Sequence, residues 1–173
     1  MRNRLTILAL TLAFVTPLRA QTGFKAEWLK NFDDTQQKIV KLAEAVPAEK
    51  YAWRPAPGVR SIGEVFVHVA GNAYMGPSAF GVKPPVAYKK EMETTVVKKE
   101  EILDHLKKSF AHFRAAVDAM PEADLEKMVE GRTGPRSGRS VLLQTLTHLH
   151  EHLGQSIAYA RMNGVVPPWS QSP

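Results

Sequence analysis

The chain contains no cysteine among its 173 residues. This absence excludes disulfide bonds, a thiol nucleophile and thiolate ligands for a metal ion. A transition metal bound by this protein must therefore be held by nitrogen and oxygen atoms.

The chain also lacks an apolar run long enough to cross a bilayer, which takes roughly 20 residues. Its clearest apolar run, Leu5–Val15, has 11 residues. Two basic residues precede this run, and a helix-breaking proline and a small residue follow it: Arg2, Arg4, Pro17 and Ala20. This layout is typical of a secretory signal peptide. We expect residues 1–20 to be removed on export, leaving residues 21–173 as one periplasmic or secreted domain.

The domain that remains has only a small excess of positive charge. The formal net charge falls from +6 to +3, because residues 1–20 hold three arginines and no acidic residue. Nucleic-acid binding loses most of its electrostatic support, so we expect no nucleic-acid partner. We also expect no membrane span after signal removal. About 150 residues are enough for one hydrophobic core.

No segment of the sequence shows a strand pattern. Apolar residues recur at helical spacing over about 24–46 and about 98–120. A second helix begins at Ser61, which forms an S-x-x-E capping box with Glu64. A last long helix begins after a cap at Ser140. The sequence predicts an all-α, up-down-up-down four-helix bundle, in which the second and fourth helices are parallel.

Three histidines fall within the stretch THLHEHLGQ near the end of the chain. His148 and His152 are four residues apart, so they lie on one face of a helix, within ~40° of each other. His150 lies ~200° from His148. We therefore expect an inward pair and an outward third histidine.

A further histidine on the second helix completes a candidate metal site. His68 lies seven residues after Ser61, and His148 lies eight after Ser140. If these caps are level in parallel helices, the two histidines differ in depth by ~1.5 Å. The spacing thus predicts that His68, His148 and His152 converge on one metal ion. The alternative is a core histidine whose ring bonds a carbonyl group or water.

Two motifs in these helices carry a family resemblance. The first is an S-[IL]-x-E-x-x-x-H pattern and the second is H-x-x-x-H-x-G-Q, and their residues are Ser61, Glu64, His68, His148, His152, Gly154 and Gln155. Over about residues 24–168 the chain resembles the DinB-like (damage-inducible, YfiT-like) superfamily. The resemblance implies a four-helix bundle and three histidine ligands for zinc or nickel, with one position left for water or substrate. Such an open site is a catalytic arrangement, and its ion can lower the pKa of bound water toward ~7.

Glu151 raises a competing interpretation. With the flanking histidines it completes H-x-x-E-H, the inverted zinc-peptidase motif, in which the glutamate is the base. Those enzymes need an additional acidic ligand downstream, and no Asp or Glu follows His152. We interpret Glu151 as a surface residue that could approach the metal from the side.

The sequence allows more than one role for other residues near the motifs. Gly154 could allow close helix packing, and Gln155 could either orient the site or be surface. We interpret His105 and His112 as ordinary surface or boundary residues.

The loops at 54–61 and 131–140 are rich in arginine. If the second and fourth helices begin at one end, these loops form a cationic mouth that favours an anionic small molecule. The alternative is a set of solvated arginines. The residues are Arg54, Arg60, Arg132, Arg136 and Arg139.

Two classes of function remain. The first is a metal-dependent enzyme, either a hydrolase or a thiol S-transferase like the family members that use low-molecular-weight thiols; export disfavours the thiol reaction. The second is a non-catalytic metal-binding or stress-related module, in which the ion is structural or holds a ligand. Fold alone cannot choose between them. Helix bundles often pair through their helix faces, so a homodimer is a further expectation.

Overall fold

The computed structural model describes residues 23–131 and 134–170. The predicted signal peptide at residues 1–20 and Arg132 lie outside the described residues. Among the helices that are described, none combines the length and the apolar character that a membrane crossing requires.

Helices dominate the described chain. The boundaries are α1 (Phe24–Ala45), α2 (Ile62–Met75), α3 (Met92–Thr95), α4 (Lys99–Ala119) and α5 (Gly138–Met162). Pro47 and Pro121 follow the ends of α1 and α4, where a ring without an N–H group cannot continue a helix. The predicted all-α bundle is confirmed, and α3 is a single added turn in the long connection between α2 and α4.

The capping box of α2 is present as predicted. The Ser61 hydroxyl accepts a hydrogen bond from the Glu64 backbone N–H at 3.2 Å. The Glu64 carboxylate accepts one from the Ser61 backbone N–H at 2.7 Å. Two backbone donors at the helix start are thus satisfied by two side chains.

The start of α5 differs from the prediction. The helix begins at Gly138 and is capped by Ser137, whose hydroxyl accepts from the Ser140 backbone N–H at 3.2 Å. Ser140 therefore lies inside the first turn, and its assignment as the cap is wrong. Ser137 also ends β2 (Arg136–Ser137), which pairs antiparallel with β1 (Met128–Val129). This short hairpin was not expected, because two-residue strands are too short to show a periodic pattern.

The core is an aromatic and aliphatic cluster between the four long helices. Trp28 stacks on Phe32 of the same helix, with ring centroids 4.8 Å apart. Phe32 meets Phe110 and Phe113 of α4 edge-on, at 5.9 and 5.5 Å. All four side chains are buried, so α1 and α4 are held together by tightly packed rings.

Contacts at the helix ends show that α1 is antiparallel to α4. Lys25, at the start of α1, donates to the Met120 carbonyl just after α4, at 2.8 Å. Lys99, at the start of α4, donates to the Val46 carbonyl just after α1, at 2.7 Å. In contrast, α1 and α5 run the same way, because the Trp28 indole donates to the Leu142 carbonyl at 2.8 Å, near the start of both helices.

The remaining contacts give α2 its direction. Gly63, near the start of α2, lies against Ile102, and Gly76, just after its end, lies against Phe113, so α2 and α4 are parallel. Trp53, ahead of α2, packs edge-on against Tyr159 near the end of α5, at 5.4 Å. Therefore α2 and α5 are antiparallel and the order of directions is up-down-down-up.

The predicted alternation of directions is thus wrong in its second half. The physical reason is the connection at residues 76–98. α2 has 14 residues and is ~21 Å long, and this connection is long enough to return along the whole helix. It brings the chain back to the end where α2 began, so α4 starts there too.

Candidate metal centre

The structure brings three histidines together between α2 and α5. His68 lies in the middle of α2, and His148 and His152 lie on one face of α5. Their ring centroids are 4.4 to 5.1 Å apart, and one nitrogen from each ring lies within 4.8 Å of the others. The Nε2 atoms of His68 and His148 are 3.1 Å apart. These side chains could hold a metal ion; that they do so stays a prediction.

His150 lies on another face of α5. Its Nδ1 is 2.8 Å from the Leu146 carbonyl, and its Nε2 is 3.3 Å from the Thr35 hydroxyl on α1. The exposed His150 is therefore separate from the other two histidines of the THLHEHLGQ stretch.

The route by which the histidines converge differs from the prediction. We predicted that His68 and His148 lie level below matching caps in parallel helices. In the structure α2 and α5 are antiparallel, and His148 is eleven residues past its true cap, Ser137. The side chains meet because each lies near the middle of its helix, where a reversal of direction changes depth least.

A buried carboxylate that the sequence analysis missed supports His68. Glu93 of α3 is 8% exposed, and its Oε1 is 2.8 Å from His68 Nδ1. Arg60 contacts both carboxylate oxygens, at 2.6 and 3.3 Å. The Tyr88 hydroxyl donates to Oε1 at 3.1 Å. A metal-binding histidine generally donates its second ring N–H to an acceptor, so a partner for His68 could have been expected. The sequence did not show which acidic residue is that partner.

Gly71 makes room for Tyr88 on α2. A Cβ at this position would lie 2.1 to 2.5 Å from three atoms of the Tyr88 ring. A glycine is therefore needed for the connection to pack this closely on α2. The close approach places the Tyr88 hydroxyl within reach of Glu93.

Gln155 supports His152 in a similar way. Its Oε1 accepts from His152 Nδ1 at 2.8 Å, and its Nε2 donates to the Tyr159 hydroxyl at 3.1 Å. Of the two interpretations of Gln155, the structure favours the orienting one. Tyr159 is itself packed against Trp53, so the glutamine is held by a fixed partner.

The electrostatics of the site favour neutral imidazoles beside an ionised carboxylate. Burial lowers the pKa of His148 to about 4, with the nearby His152, His68 and Arg60 adding to the effect. Burial also lowers the pKa of His68, against the opposing hydrogen bond to Glu93. Burial raises the pKa of Glu93, but the hydrogen bonds from Arg60 and His68 outweigh it and hold that pKa below its ordinary value.

This donor set fits a transition metal. Neutral imidazole nitrogen is a ligand for zinc, copper, iron and nickel. Two nitrogens that bind one tetrahedral zinc ion at about 2.0–2.1 Å lie ~3.3 Å apart. The 3.1 Å between Nε2 of His68 and His148 is close to that separation.

A cavity of about 810 Å³ opens beside the three histidines, between α2 and α5. Its wall includes two arginines and two glutamates, which are Arg60, Arg136, Glu130 and Glu151. Its volume lies within the usual range for small-molecule sites, about 300–1,000 Å³. Because the wall holds two arginines and two glutamates, the lining of the cavity is mixed in charge.

The predicted cationic mouth does not form as expected. Because α2 and α5 are antiparallel, their arginine-bearing loops lie at opposite ends of the bundle. Arg54 pairs with Glu64 at 2.7 Å, and Arg139 pairs with Glu126. Arg60 contacts Glu93, and Arg136 contacts the side chain of Gln144.

The other residues singled out in the sequence fall as follows. Glu151 lines the cavity, but the third histidine comes from α2, which is not the ligand set of an inverted zinc peptidase. A Cβ on Gly154 would meet nothing within 4 Å, so close packing does not explain that glycine. His105 and His112 are half-buried on α4, as expected for boundary residues, and His105 Nδ1 is 3.4 Å from the Tyr74 hydroxyl.

Comparison with solved structures gives relatives of the same fold. A DinB-like protein from Bacillus cereus is 20% identical, with 82% of this chain and 93% of that chain covered and a TM-score of 0.73. A DinB-like protein from Bacillus subtilis is 17% identical, with 85% and 99% covered and a TM-score of 0.66. A conserved protein from Enterococcus faecalis is 16% identical, with 82% and 97% covered and a TM-score of 0.66.

No curated protein matches the chain. The family model of the DinB superfamily matches residues 31–156, which span all three histidines of the site. With this match over most of the chain, and with the fold shared by the solved DinB-like structures, the protein belongs to the DinB superfamily.

Proposed function

We propose that this protein binds one divalent transition metal through His68, His148 and His152 and uses it as an enzyme on a small polar molecule. Zinc or nickel is the expected ion. The observation that carries the proposal is the convergence of three imidazole nitrogens at the wall of an 810 Å³ cavity. A purely structural metal site is normally closed by four protein ligands.

Hydrolysis is the reaction that we favour over thiol transfer. A metal held by three nitrogens with an open position supplies activated water at neutral pH. His68, His148 and His152 would hold the ion, and the cavity would orient the substrate beside it. Glu151 lines the same cavity and supplies a carboxylate that could take up a proton. Thiol transfer fits less well, because we also propose that residues 1–20 direct export, away from cytosolic thiols.

The charged side chains that line the cavity favour a charged or strongly polar substrate. Arg60 and Arg136 line the cavity from opposite ends and are held by Glu93 and Gln144, while Glu130 and Glu151 disfavour a wholly anionic molecule. Together these residues favour a small polar molecule over a wholly anionic one.

Elemental analysis of the untagged protein tests metal binding. We expect about one equivalent of metal in the wild type and in His150→Ala, because His150 faces α1. We expect His68→Ala to lose the metal, since one of three ligands is gone. A wild type without metal, or a His68→Ala variant that retains it, contradicts the proposal.

A test for an open coordination position distinguishes the proposed enzyme from a non-catalytic metal-binding module. With cobalt in place of the native metal, added azide should change the visible absorption spectrum if a position is free for an outside ligand. An unchanged spectrum at saturating azide supports a closed site that only stabilises the fold or holds a ligand.

A further inference from the structure

We infer that Glu93 is a positioning residue of the metal centre, which fixes His68 in the tautomer that carries its proton on Nδ1. The unprotonated Nε2 of His68 then points toward His148 and His152. The metal-binding part of this inference rests on the proposed function; the tautomer itself does not.

The hydrogen bonds around Glu93 support this assignment. An ionised carboxylate only accepts hydrogen bonds, so at 2.8 Å the proton between it and His68 belongs to Nδ1. Arg60 and Tyr88 donate to the same carboxylate. The Arg60 guanidinium favours the charged form of the acid, and the two donors together hold the carboxylate in one orientation.

The far side of the His68 ring agrees with the same tautomer. The Asn72 side-chain Nδ2, a donor, lies 3.3 Å from His68 Nε2, and it also donates to the His68 carbonyl at 3.0 Å. A donor beside Nε2 is compatible with a lone pair there. The lone pair is also what a metal ion requires.

Glu93 reaches this position through the fold rather than through its own helix. α3 is a four-residue turn in the connection from α2 to α4. The connection is held against α2 by the packing of Tyr88 on Gly71. Glu93 is therefore fixed on both sides, by the Tyr88 contact and by the salt bridge to Arg60.

The site uses the same arrangement twice. Gln155 accepts from Nδ1 of His152, as Glu93 does from Nδ1 of His68. Both rings then present Nε2 to the centre. Residues that orient a ligating histidine in this manner typically contribute 10–100-fold to metal affinity or activity.

Zinc affinity, measured by competition with a chelator, tests the role of Glu93. We expect Glu93→Ala to bind zinc about 10–100-fold more weakly than the wild type. Glu93→Gln keeps an oxygen acceptor and should recover part of the loss. Glu91→Ala is the matched control, because Glu91 is exposed in the same connection, and it should bind like the wild type. A Glu93→Ala variant within twofold of the wild type overturns the positioning role.

The tautomer of His68 is measured separately, by ¹⁵N NMR of the metal-free full-length protein. We expect the Nδ1-protonated form to dominate in the wild type and in Glu91→Ala, and a mixture of tautomers in Glu93→Ala. Loss of structure alone is checked by circular dichroism of the same samples. If the wild type shows the Nε2-protonated form, the inference is wrong whatever the metal does. If the expected tautomers appear but no variant binds zinc, the proposed function fails and the role of Glu93 in the tautomer stands.

Discussion

Gly71 is the residue on which the close packing of the long connection depends. We expect Gly71→Ala to destabilise the protein by about 1–3 kcal/mol, because the new methyl group would overlap the Tyr88 ring and force it to move. The measurement is urea unfolding. Gly154→Ala is the matched control in the middle of α5, where a Cβ meets nothing within 4 Å. There we expect stabilisation by about 0.5–1 kcal/mol. Equal effects at the two positions would contradict the packing role of Gly71.

Some of the candidate ligands were predictable from the sequence, but the residues that orient them were not. His148 and His152 share a face because their four-residue spacing nearly equals a helical turn. Glu93 is separated from His68 by 25 positions, and no local spacing rule connects them. Gln155 was partly predictable. A spacing of three residues on one helix places it beside His152, but a polar side chain is equally compatible with the surface.

At the scale of elements, the start of α5 can be tested by its cap. We expect Ser137→Ala to destabilise the protein by about 1 kcal/mol, because the Ser137 hydroxyl satisfies the Ser140 N–H. Ser140→Ala is the control one turn later on an exposed position. Its effect should stay within about 0.5 kcal/mol. The free energy of unfolding from urea titration decides, and the reverse order of the two effects would restore Ser140 as the cap.

Helix boundaries were otherwise read well from local signals. The S-x-x-E pattern at Ser61 identified the start of α2, and Pro47 and Pro121 marked where α1 and α4 stop. These signals act within one or two turns of backbone. They contain no information on the direction in which a helix packs against a distant one, and this is why the directions of α4 and α5 in the bundle were predicted wrongly.

At the scale of the whole molecule, metal binding should stabilise the fold. A ligand present at 100 times its dissociation constant adds about 2.7 kcal/mol to the free energy of unfolding. For a domain of this size we expect the Tm to rise by roughly 5–10 °C on adding zinc. The measurement is thermal unfolding followed by circular dichroism, with and without a chelator.

Two variants make that measurement specific. His150→Ala should show the same rise in Tm as the wild type, because its ring contacts Thr35 rather than the site. His68→Ala should show little or none. A comparable rise in His68→Ala would mean that zinc stabilises the protein through other groups.

Local patterns in the sequence were enough to predict a bundle of helices and to pair His148 with His152, and the S-[IL]-x-E-x-x-x-H motif added His68 as the third candidate ligand. Helical periodicity, capping residues and the spacing of His148 and His152 are local properties, and they persist in any packing of the helices. That α2 and α5 are antiparallel, and that Glu93 lies beside His68, became visible only in the packed fold. The same is true of the cavity of mixed charge on which the site opens. These features depend on the path of residues 76–98, and that path is set by packing between distant side chains, such as Tyr88 on Gly71.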